Sequence, residues 1–235
     1  MKLLCVGAKE HSDLLLGICR LAAVGGRRVL LIDGTSSRRL SCLVAPESVP
    51  ELVQYDEIDV ACHFASLDGA LEHTAASGSV LEEYDIVMVD TDRADFPGAA
   101  GAYPFEGLFL TTAYDKYTMR RTAELICSLN DVCQVNTLTS TVIIRDAVEC
   151  VIDEAYVDKV LAPLPFITPD EYHKLPFDEV DLAVRIDSEY QGKVGIRRMS
   201  RAYRNVLLAV TNEITGEDRA VLKRMIKQAM RRNTG

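Results

Sequence analysis

The chain has 235 residues, 48% of them hydrophobic, and a formal net charge of −9. These values predict one folded α/β domain and disfavour disorder, because disordered chains have low hydrophobicity and cannot bury a core. They also disfavour nucleic acid as a partner of this acidic body, and no apolar run approaches the roughly 18 residues of a membrane-spanning helix.

The first 33 residues have the order strand, loop, helix, strand. Residues 1–7 (MKLLCVG) are predicted to form a short buried strand. The spacing of apolar residues then predicts a helix over residues 14–24, with Ser12 or Asp13 as its N-cap. Residues 27–33 (RRVLLID) form a second predicted buried strand, which ends in a carboxylate.

Strands and helices continue to alternate after Asp33. Residues 34–56 contain Ser, Pro and Glu and are predicted to form a loop. The further predicted elements, in chain order, are a weak strand 58–62, helices 67–76 and 80–83, a strand 84–90, a loop 96–104, a strand 107–112, a helix 115–129, a strand 139–145, a helix 154–160, a Pro-rich connection 162–169, and helices 178–186 and 199–213.

Four of the predicted strands are continuous apolar runs rather than alternating ones. This pattern is typical of a parallel sheet whose two faces are both covered by helices. Right-handed crossovers then give a doubly wound, mostly parallel sheet in a single domain. Ligands of such sheets bind outside the carboxyl ends of the strands, where Gly7, Asp33 and Asp90 fall.

Two strands that end in Asp carry a resemblance to a known family. RRVLLID is followed some fifty residues later by YDIVMVD, and the segments GGRRVLLIDG, EYDIVMVDTD, LFLTTAYDKYTMRRTAELI and RAYRNVLLAV extend the same layout over nearly the whole chain. This layout resembles the MinD/ParA branch of P-loop ATPases. The resemblance implies the P-loop NTPase fold and, in active members, a site for ATP or ADP with Mg²⁺.

The loop after the first strand departs from the family pattern K-G-G-x-G-K-T. Residues 7–12 read GAKEHS. By the resemblance, Ser12 falls at the threonine that holds Mg²⁺, His11 at the phosphate-binding lysine, and Val6 near the family's additional lysine. Glu10 replaces a glycine. Lys9 takes one of the lysine roles if the loop is shifted by one or two residues.

Two carboxylates match the family more closely. Asp33 corresponds to the carboxylate that helps to activate water, and Asp90 to the Walker B aspartate, which would hold Mg²⁺ together with Ser12. Asp90 is followed by Thr91-Asp92-Arg93 where the family usually has T-P-P, and the asparagine that reads adenine corresponds to Ile144 or Arg145. The alternative for Asp33 and Asp90 is that they are strand-end residues that cap or pair locally.

The altered loop predicts a degenerate relative that does not hydrolyse nucleotide and needs no cofactor. Glu10 places a negative charge where phosphate oxygens would lie, and losing one stabilising donor costs roughly 10²–10³ in rate. The alternative is a slowly cycling ATPase with Asp33 and Asp90 as its catalytic carboxylates. The residues that would cradle Mg-nucleotide are Gly7, Lys9, His11, Ser12, Asp33 and Asp90.

The charge of the C-terminal segment differs from that of the rest. Residues 216–235 carry six Lys or Arg against two acids, a net charge of +4 that leaves −13 for residues 1–215. We expect an α/β domain over 1–215 and a basic amphipathic helix in 216–235, which resembles the membrane-holding helix of MinD-like proteins. This helix either contacts a membrane, contacts a partner, or packs on its own sheet with a solvated basic face. Its residues include Leu222, Lys223, Met225, Ile226, Lys227, Met230 and Arg231.

These features predict a localisation, regulatory or scaffold subunit of a bacterial envelope-associated assembly of the pilus, secretion or division type. Its expected partner is a protein, either a homologous ATPase or a second copy in a homodimer. DNA partitioning is disfavoured by the −13 body. Seven cysteines without a CxxC pair, and no signal peptide, predict a cytoplasmic protein, peripheral on the inner face of the membrane where the helix binds lipid. Five cysteines are expected in the core: Cys5, Cys19, Cys62, Cys127 and Cys150.

Overall fold

A single sheet organises the protein. The computed structural model describes residues 1–44, 49–98, 103–167, 169 and 172–232. The strands within these residues are β1 (Lys2–Gly7), β2 (Val29–Asp33), β3 (Glu51–Tyr55), β4 (Ile58–Cys62), β5 (Ile86–Thr91), β6 (Gly107–Thr112), β7 (Thr139–Ala147) and β8 (His173–Pro176). Their order across the sheet is β3-β4-β2-β5-β1-β6-β7-β8. Only the β3–β4 pair is antiparallel among the described strands.

Helices lie between the strands along the chain, and further helices come after the last strand. In the described part of the chain they are α1 (Ser12–Val24), α2 (Arg39–Val44), α3 (Leu67–Ala76), α4 (Lys116–Cys133), α5 (Glu154–Leu161), α6 (Glu179–Gln191), α7 (Arg201–Thr215) and α8 (Arg219–Arg232). Short 3₁₀ turns occur at Leu81–Glu83, Val135–Thr137 and Ile196–Arg198.

Both faces of the sheet are covered, which explains the continuous apolar runs. In β2, Leu31 belongs to the core cluster on one face, whereas Leu30 and Ile32 belong to a cluster on the other. Helices α1, α7 and α8 pack on the first face, and α3, α4 and α5 on the second. The predicted doubly wound, mostly parallel sheet is therefore confirmed.

The two edge strands were not recognised correctly from the sequence. Residues 34–56 were predicted to be a loop, but they contain α2 and the strand β3. Strand β8 was missed because its sequence, HKLP, contributes only Leu175 to the core. The predicted helix 80–83 is a 3₁₀ turn, Leu81–Glu83, and residues 99–102 of the predicted loop 96–104 lie outside the described residues.

The C-terminal helix α8 packs on its own domain. Leu222, Met225, Ile226 and Ala229 are at most 8% exposed and belong to the same core cluster as α1. The end of α1 accommodates this contact through Gly25, where a Cβ atom would lie 2.3 Å from Cε of Met225. Of the three predicted alternatives, the structure shows the helix packed on its own domain. The predicted division between residues 215 and 216 falls between α7 and α8, which belong to one core.

The basic side of α8 faces solvent. Lys223, Arg224, Lys227 and Arg231 are exposed, while Met230 is partly buried against the core cluster. None of the described helices is long and apolar enough to cross a bilayer.

The cysteine prediction holds for three residues and fails for two. Cys5, Cys19 and Cys62 are buried, whereas Cys127 and Cys150 are exposed. Cys127 lies on the solvent side of α4 because that helix turns Ile126 and Leu129 to the core. The apolar residues next to Cys127 in the sequence therefore did not predict its exposure on this amphipathic helix.

Candidate functional site

A cleft of about 600 Å³ opens at the carboxyl ends of β1 and β5. Asp33, at the end of β2, does not line it, because other side chains surround its carboxylate. Thr35, Arg39, Asp92 and Glu189 add polar groups to the wall. Five of the six residues predicted for a nucleotide site line the cleft: Gly7, Lys9, His11, Ser12 and Asp90.

Gly7 lets β1 approach β6 where the strand turns into the loop. A Cβ atom at this position would lie 2.5 Å from the carbonyl oxygen of Thr111. No side chain fits there without moving the backbone of β6, so the first residue of the loop is fixed by packing within the sheet.

His11 is paired with Asp90 inside the protein. Nε2 of His11 lies 2.9 Å from Oδ1 of Asp90, and Nδ1 lies 2.7 Å from the carbonyl oxygen of Lys9. His11 and Asp90 are 4% and 2% exposed. Because both ring nitrogens face oxygen acceptors, this geometry suits a doubly protonated imidazolium.

The pKa of His11 reflects this pair. Burial would lower it, but Asp90, together with the carbonyl of Lys9 and the charge of Glu10, outweighs burial and raises the pKa of His11 to about 8. Burial also raises the pKa of Asp90, and the opposing effect of His11 is too small to cancel it. The folded pair therefore holds protons more tightly than the unfolded chain does.

Glu10 occupies the N-terminus of α1. Its carboxylate accepts the backbone N–H of Ser12 at 2.8 Å, and Nε of Arg39 lies 3.4 Å from the same oxygen. Nη1 of Arg185 lies 3.7 Å from the other carboxylate oxygen. A helix N-terminus attracts anions, so an internal carboxylate sits where a phosphate would be stabilised.

This arrangement corrects the predicted start of α1. The helix begins at Ser12, and His11 occupies the N-cap position without a side-chain cap. Neither Ser12 nor Asp13 caps the helix, because Glu10 satisfies the first amide and Arg145 holds the carboxylate of Asp13.

Asp33 is fully engaged by its neighbours. One carboxylate oxygen accepts the backbone N–H and hydroxyl of Thr35 at 3.1 and 2.7 Å. The other accepts the backbone N–H and hydroxyl of Ser41, both at 2.8 Å. Asp33 thus has partners within its own chain, as Asp90 has in His11.

Lys9, the lysine of the loop after β1, forms an ion pair. Lys9 turns toward the end of β7, where Nζ lies 2.8 Å from Oδ2 of Asp146. Val6 is completely buried in the sheet. Lys9 lines the cleft, but its charge is already paired with a carboxylate of this chain.

A buried ion pair that the sequence did not identify lies beside the loop. Arg145, at the end of β7, donates to both carboxylate oxygens of Asp13 at 2.5 and 3.1 Å, and the hydroxyl of Tyr203 donates to Asp13 at 3.0 Å. Burial would raise the pKa of Asp13, but Arg145 lowers it. An arginine at the end of an apolar strand indicates that the arginine has a buried acidic partner. The residues near Arg145 in the sequence do not show that this partner is Asp13.

These residues do not fit a magnesium-bound triphosphate as they are placed. The phosphate end of the cleft contains the Glu10 carboxylate, and Asp90, which would hold the metal, is bonded to His11. The amide of Ser12, a natural phosphate donor, is bonded to Glu10. Arg145, which the resemblance placed at the base-reading position, is committed to Asp13.

Solved structures with the same architecture cover nearly the whole chain. A MinC:MinD cell division complex from Aquifex aeolicus matches with a TM-score of 0.61 and 15% identity over 92% of this chain and 96% of that chain. The ATP complex of McdA from Cyanothece gives 0.56 and 12% over 93% and 97%. A ParA family ATPase from Chlorobium tepidum gives 0.53 and 14% over 97% of both chains. This is the fold of the MinD and ParA ATPases.

The likeness to the MinD/ParA fold is a likeness of architecture. No family profile matches the sequence, and no curated protein is significantly similar to it. The resemblance inferred from the two Asp-ended strands is nevertheless confirmed at the level of the P-loop NTPase fold. In the loop after β1 of this chain, Glu10 bonds the Ser12 amide and His11 bonds Asp90.

The His11–Asp90 pair makes stability depend on pH. We expect the contribution of His11 to the free energy of unfolding to be fully present below about pH 6.5 and to fall by roughly 2 kcal/mol as the pH rises through 8, because the folded His11 retains its proton to higher pH than the unfolded one. Urea unfolding between pH 6 and 9 measures this slope.

Two histidine variants serve as comparison. His11→Asn should flatten the pH dependence in this window, while His73→Asn, at a half-buried ring on α3, should keep it. An unchanged slope in His11→Asn would show that other groups cause the dependence.

Proposed function

We propose that this protein is a non-hydrolysing protein of the MinD/ParA fold that acts by binding a protein partner. The observation that carries the proposal is the occupation of the loop after β1 by its own side chains. The carboxylate of Glu10 accepts the Ser12 amide, and His11 pairs with Asp90.

The energetics of phosphoryl transfer support this role. Transfer depends on positioning and on positive groups that stabilise the triphosphate charge. Here the loop presents the Glu10 carboxylate, and its Lys9 is paired with Asp146. Removal of a single stabilising donor costs roughly 10²–10³ in rate, and several are replaced at once.

A protein partner is proposed by analogy and from the shape of the cleft. One of the similar structures is a complex of MinD with MinC. We propose that the carboxyl end of this sheet likewise engages a protein, either a homologous ATPase or a second copy, within a bacterial envelope-associated assembly. The about 600 Å³ cleft and the polar residues of its wall supply the surface.

We propose that the protein is cytoplasmic and that it also makes peripheral contact with the inner face of the membrane. Because Leu222, Met225 and Ile226 are buried in the core, α8 would contact lipid only through its exposed basic side chains. Such contact is electrostatic, worth about 1 kcal/mol for each basic residue at an anionic surface, and is sensitive to salt.

Calorimetric titration with ATP and ADP, with and without Mg²⁺, tests the proposal. We expect no saturable heat up to about 1 mM ligand, which corresponds to binding weaker than about 4 kcal/mol. The double variant Glu10→Gly/His11→Lys removes the internal carboxylate and returns a lysine, and it should bind more tightly than the natural chain.

The opposite result would support a slowly cycling ATPase. In that case the natural protein would bind Mg-ATP below about 1 mM, and Asp90→Asn would abolish the binding while retaining a hydrogen-bond acceptor for His11. The matched control is Asp92→Asn, which changes an exposed carboxylate at the cleft wall. Turnover would then be measured directly.

A further inference from the structure

Acidic and basic residues are separated along this chain. Residues 40–92 contain twelve Asp or Glu and no Lys or Arg. Residues 193–232 contain eleven Lys or Arg and three Asp or Glu. The net charges of the two segments are thus −12 and +8. An even distribution of charged residues along a chain of net charge −9 would give neither value.

Three carboxylates of the acidic segment are exposed on and just after α3, whereas several others are paired elsewhere, such as Asp56 with Arg20 and Glu83 with Arg28. Asp68 and Glu72 lie one turn apart on α3, so they share a face of that helix, and Glu82 lies in the 3₁₀ turn that follows it. All three are exposed, and none forms an ion pair with another described residue. We call Asp68, Glu72 and Glu82 the acidic surface.

Four cations of the basic segment are exposed on and beside α8, whereas others are engaged within the chain, such as Arg198 with Asp187. Lys223, Arg224 and Lys227 lie on the solvent side of α8, and Arg197 lies in the 3₁₀ turn Ile196–Arg198, which packs against α8. These four are exposed and form no ion pair within the part of the chain that the structure describes. We call Arg197, Lys223, Arg224 and Lys227 the basic surface.

The two surfaces lie on opposite faces of the sheet. Leu67 and Ala70 of α3 pack in the cluster that contains Leu30, whereas Leu222 of α8 packs in the cluster that contains Leu31. Neighbouring residues of a strand point to opposite faces. The acidic and basic surfaces of one molecule therefore cannot meet each other.

We propose that the basic surface of one molecule binds the acidic surface of a second copy, in a head-to-tail contact. Charge complementarity between two unpaired surfaces of the same chain carries this inference. A contact between two different patches is heterologous, and unless its rotation closes a ring it repeats from copy to copy. The assembly is therefore an open chain or a ring of three or more copies rather than a two-fold dimer, and it does not depend on nucleotide.

The contact is weak and depends on salt. Exposed ion pairs contribute about 0–1 kcal/mol each, so three or four of them give low affinity. The Debye length is about 30 Å at about 0.01 M salt and about 8 Å at about 0.15 M, so added salt weakens the attraction.

Sedimentation velocity of the full chain over a range of concentrations tests this. At about 0.01 M salt we expect the average mass to rise continuously with concentration beyond that of a dimer, and at about 0.15 M the rise should shift to higher concentration. A mass that stays monomeric at low salt, or that stops at a dimer, would overturn the proposal.

Two charge-reversed variants identify the surfaces. One is Lys223→Glu/Arg224→Glu/Lys227→Glu, and the other is Asp68→Lys/Glu72→Lys/Glu82→Lys. Each alone should remain monomeric at low salt, because its two surfaces carry the same sign. An equimolar mixture should associate again, since the intact acidic surface of the first variant meets the intact basic surface of the second.

A control and a competing partner complete the test. Lys116→Glu reverses an exposed charge on α4, outside both surfaces, and should leave association unchanged. If the mixture fails to associate, the proposal is wrong. It is also wrong if the natural chain stays monomeric while the basic-surface reversal abolishes binding to vesicles of anionic lipid, because the basic surface then acts only in the peripheral membrane contact proposed above.

Discussion

Arg145→Leu should lower the free energy of unfolding by about 3–5 kcal/mol. Arg145 and Asp13 are both nearly buried, with side chains 5% and 9% exposed, and the arginine donates to both carboxylate oxygens. Removing it leaves the Asp13 carboxylate in the interior with the hydroxyl of Tyr203 as its hydrogen-bond donor and Arg185 as a nearby cation. The cost is the desolvation of a carboxylate that has lost the arginine bonded to both of its oxygens, which exceeds the loss of the contacts themselves.

Urea unfolding of three variants separates this explanation from loss of packing. Asp13→Leu/Arg145→Leu removes both charges and should recover much of the stability that Arg145→Leu loses. Arg120→Leu, at a surface arginine that pairs with Glu124, should change stability by less than about 1 kcal/mol. If the double variant were less stable than Arg145→Leu, the unpaired charge would not be the cause.

Leu222→Ala should lower the free energy of unfolding by about 2–5 kcal/mol, because Leu222 is 2% exposed and its removal opens a cavity between α8 and the core. Lys223→Ala, the adjacent exposed position, should change it by no more than about 0.5 kcal/mol. Urea unfolding followed by circular dichroism measures both values.

The pair of variants at 222 and 223 tests whether α8 is docked. A cost below about 0.5 kcal/mol for Leu222→Ala would mean that the apolar side of α8 leaves the core in solution. The apolar side of α8 would then be available to insert into a membrane. A large cost with an unaffected Lys223→Ala places the helix in the domain.

The architecture was predictable because it depends on local signals. Apolar runs such as those of β2 and β5 require burial on both faces, and crossover rules then restrict the topology. The predicted bounds of β4 and β6 agree with the structure. Strand β8 escaped because an edge strand with one core residue, Leu175, has no such run.

The sequence predicted which residues lie at the candidate site better than it predicted which of them bond to each other. The sequence placed Glu10, His11 and Asp90 at the site, but the His11–Asp90 bond spans 79 residues of chain. The Asp13–Arg145 pair spans 132. No periodicity specifies which distant side chains meet, so the bonds within the loop became visible only in three dimensions.

The placement of α1 has a consequence for how this protein is synthesised. Its apolar side is covered by α7 and α8, and 176 residues separate the end of α1 from the start of α7. At about 5–20 residues per second, translation takes on the order of ten to thirty seconds to cover that distance. During that interval the apolar side of α1 lacks its partners α7 and α8, and transiently exposed apolar surface of this kind is prone to aggregation.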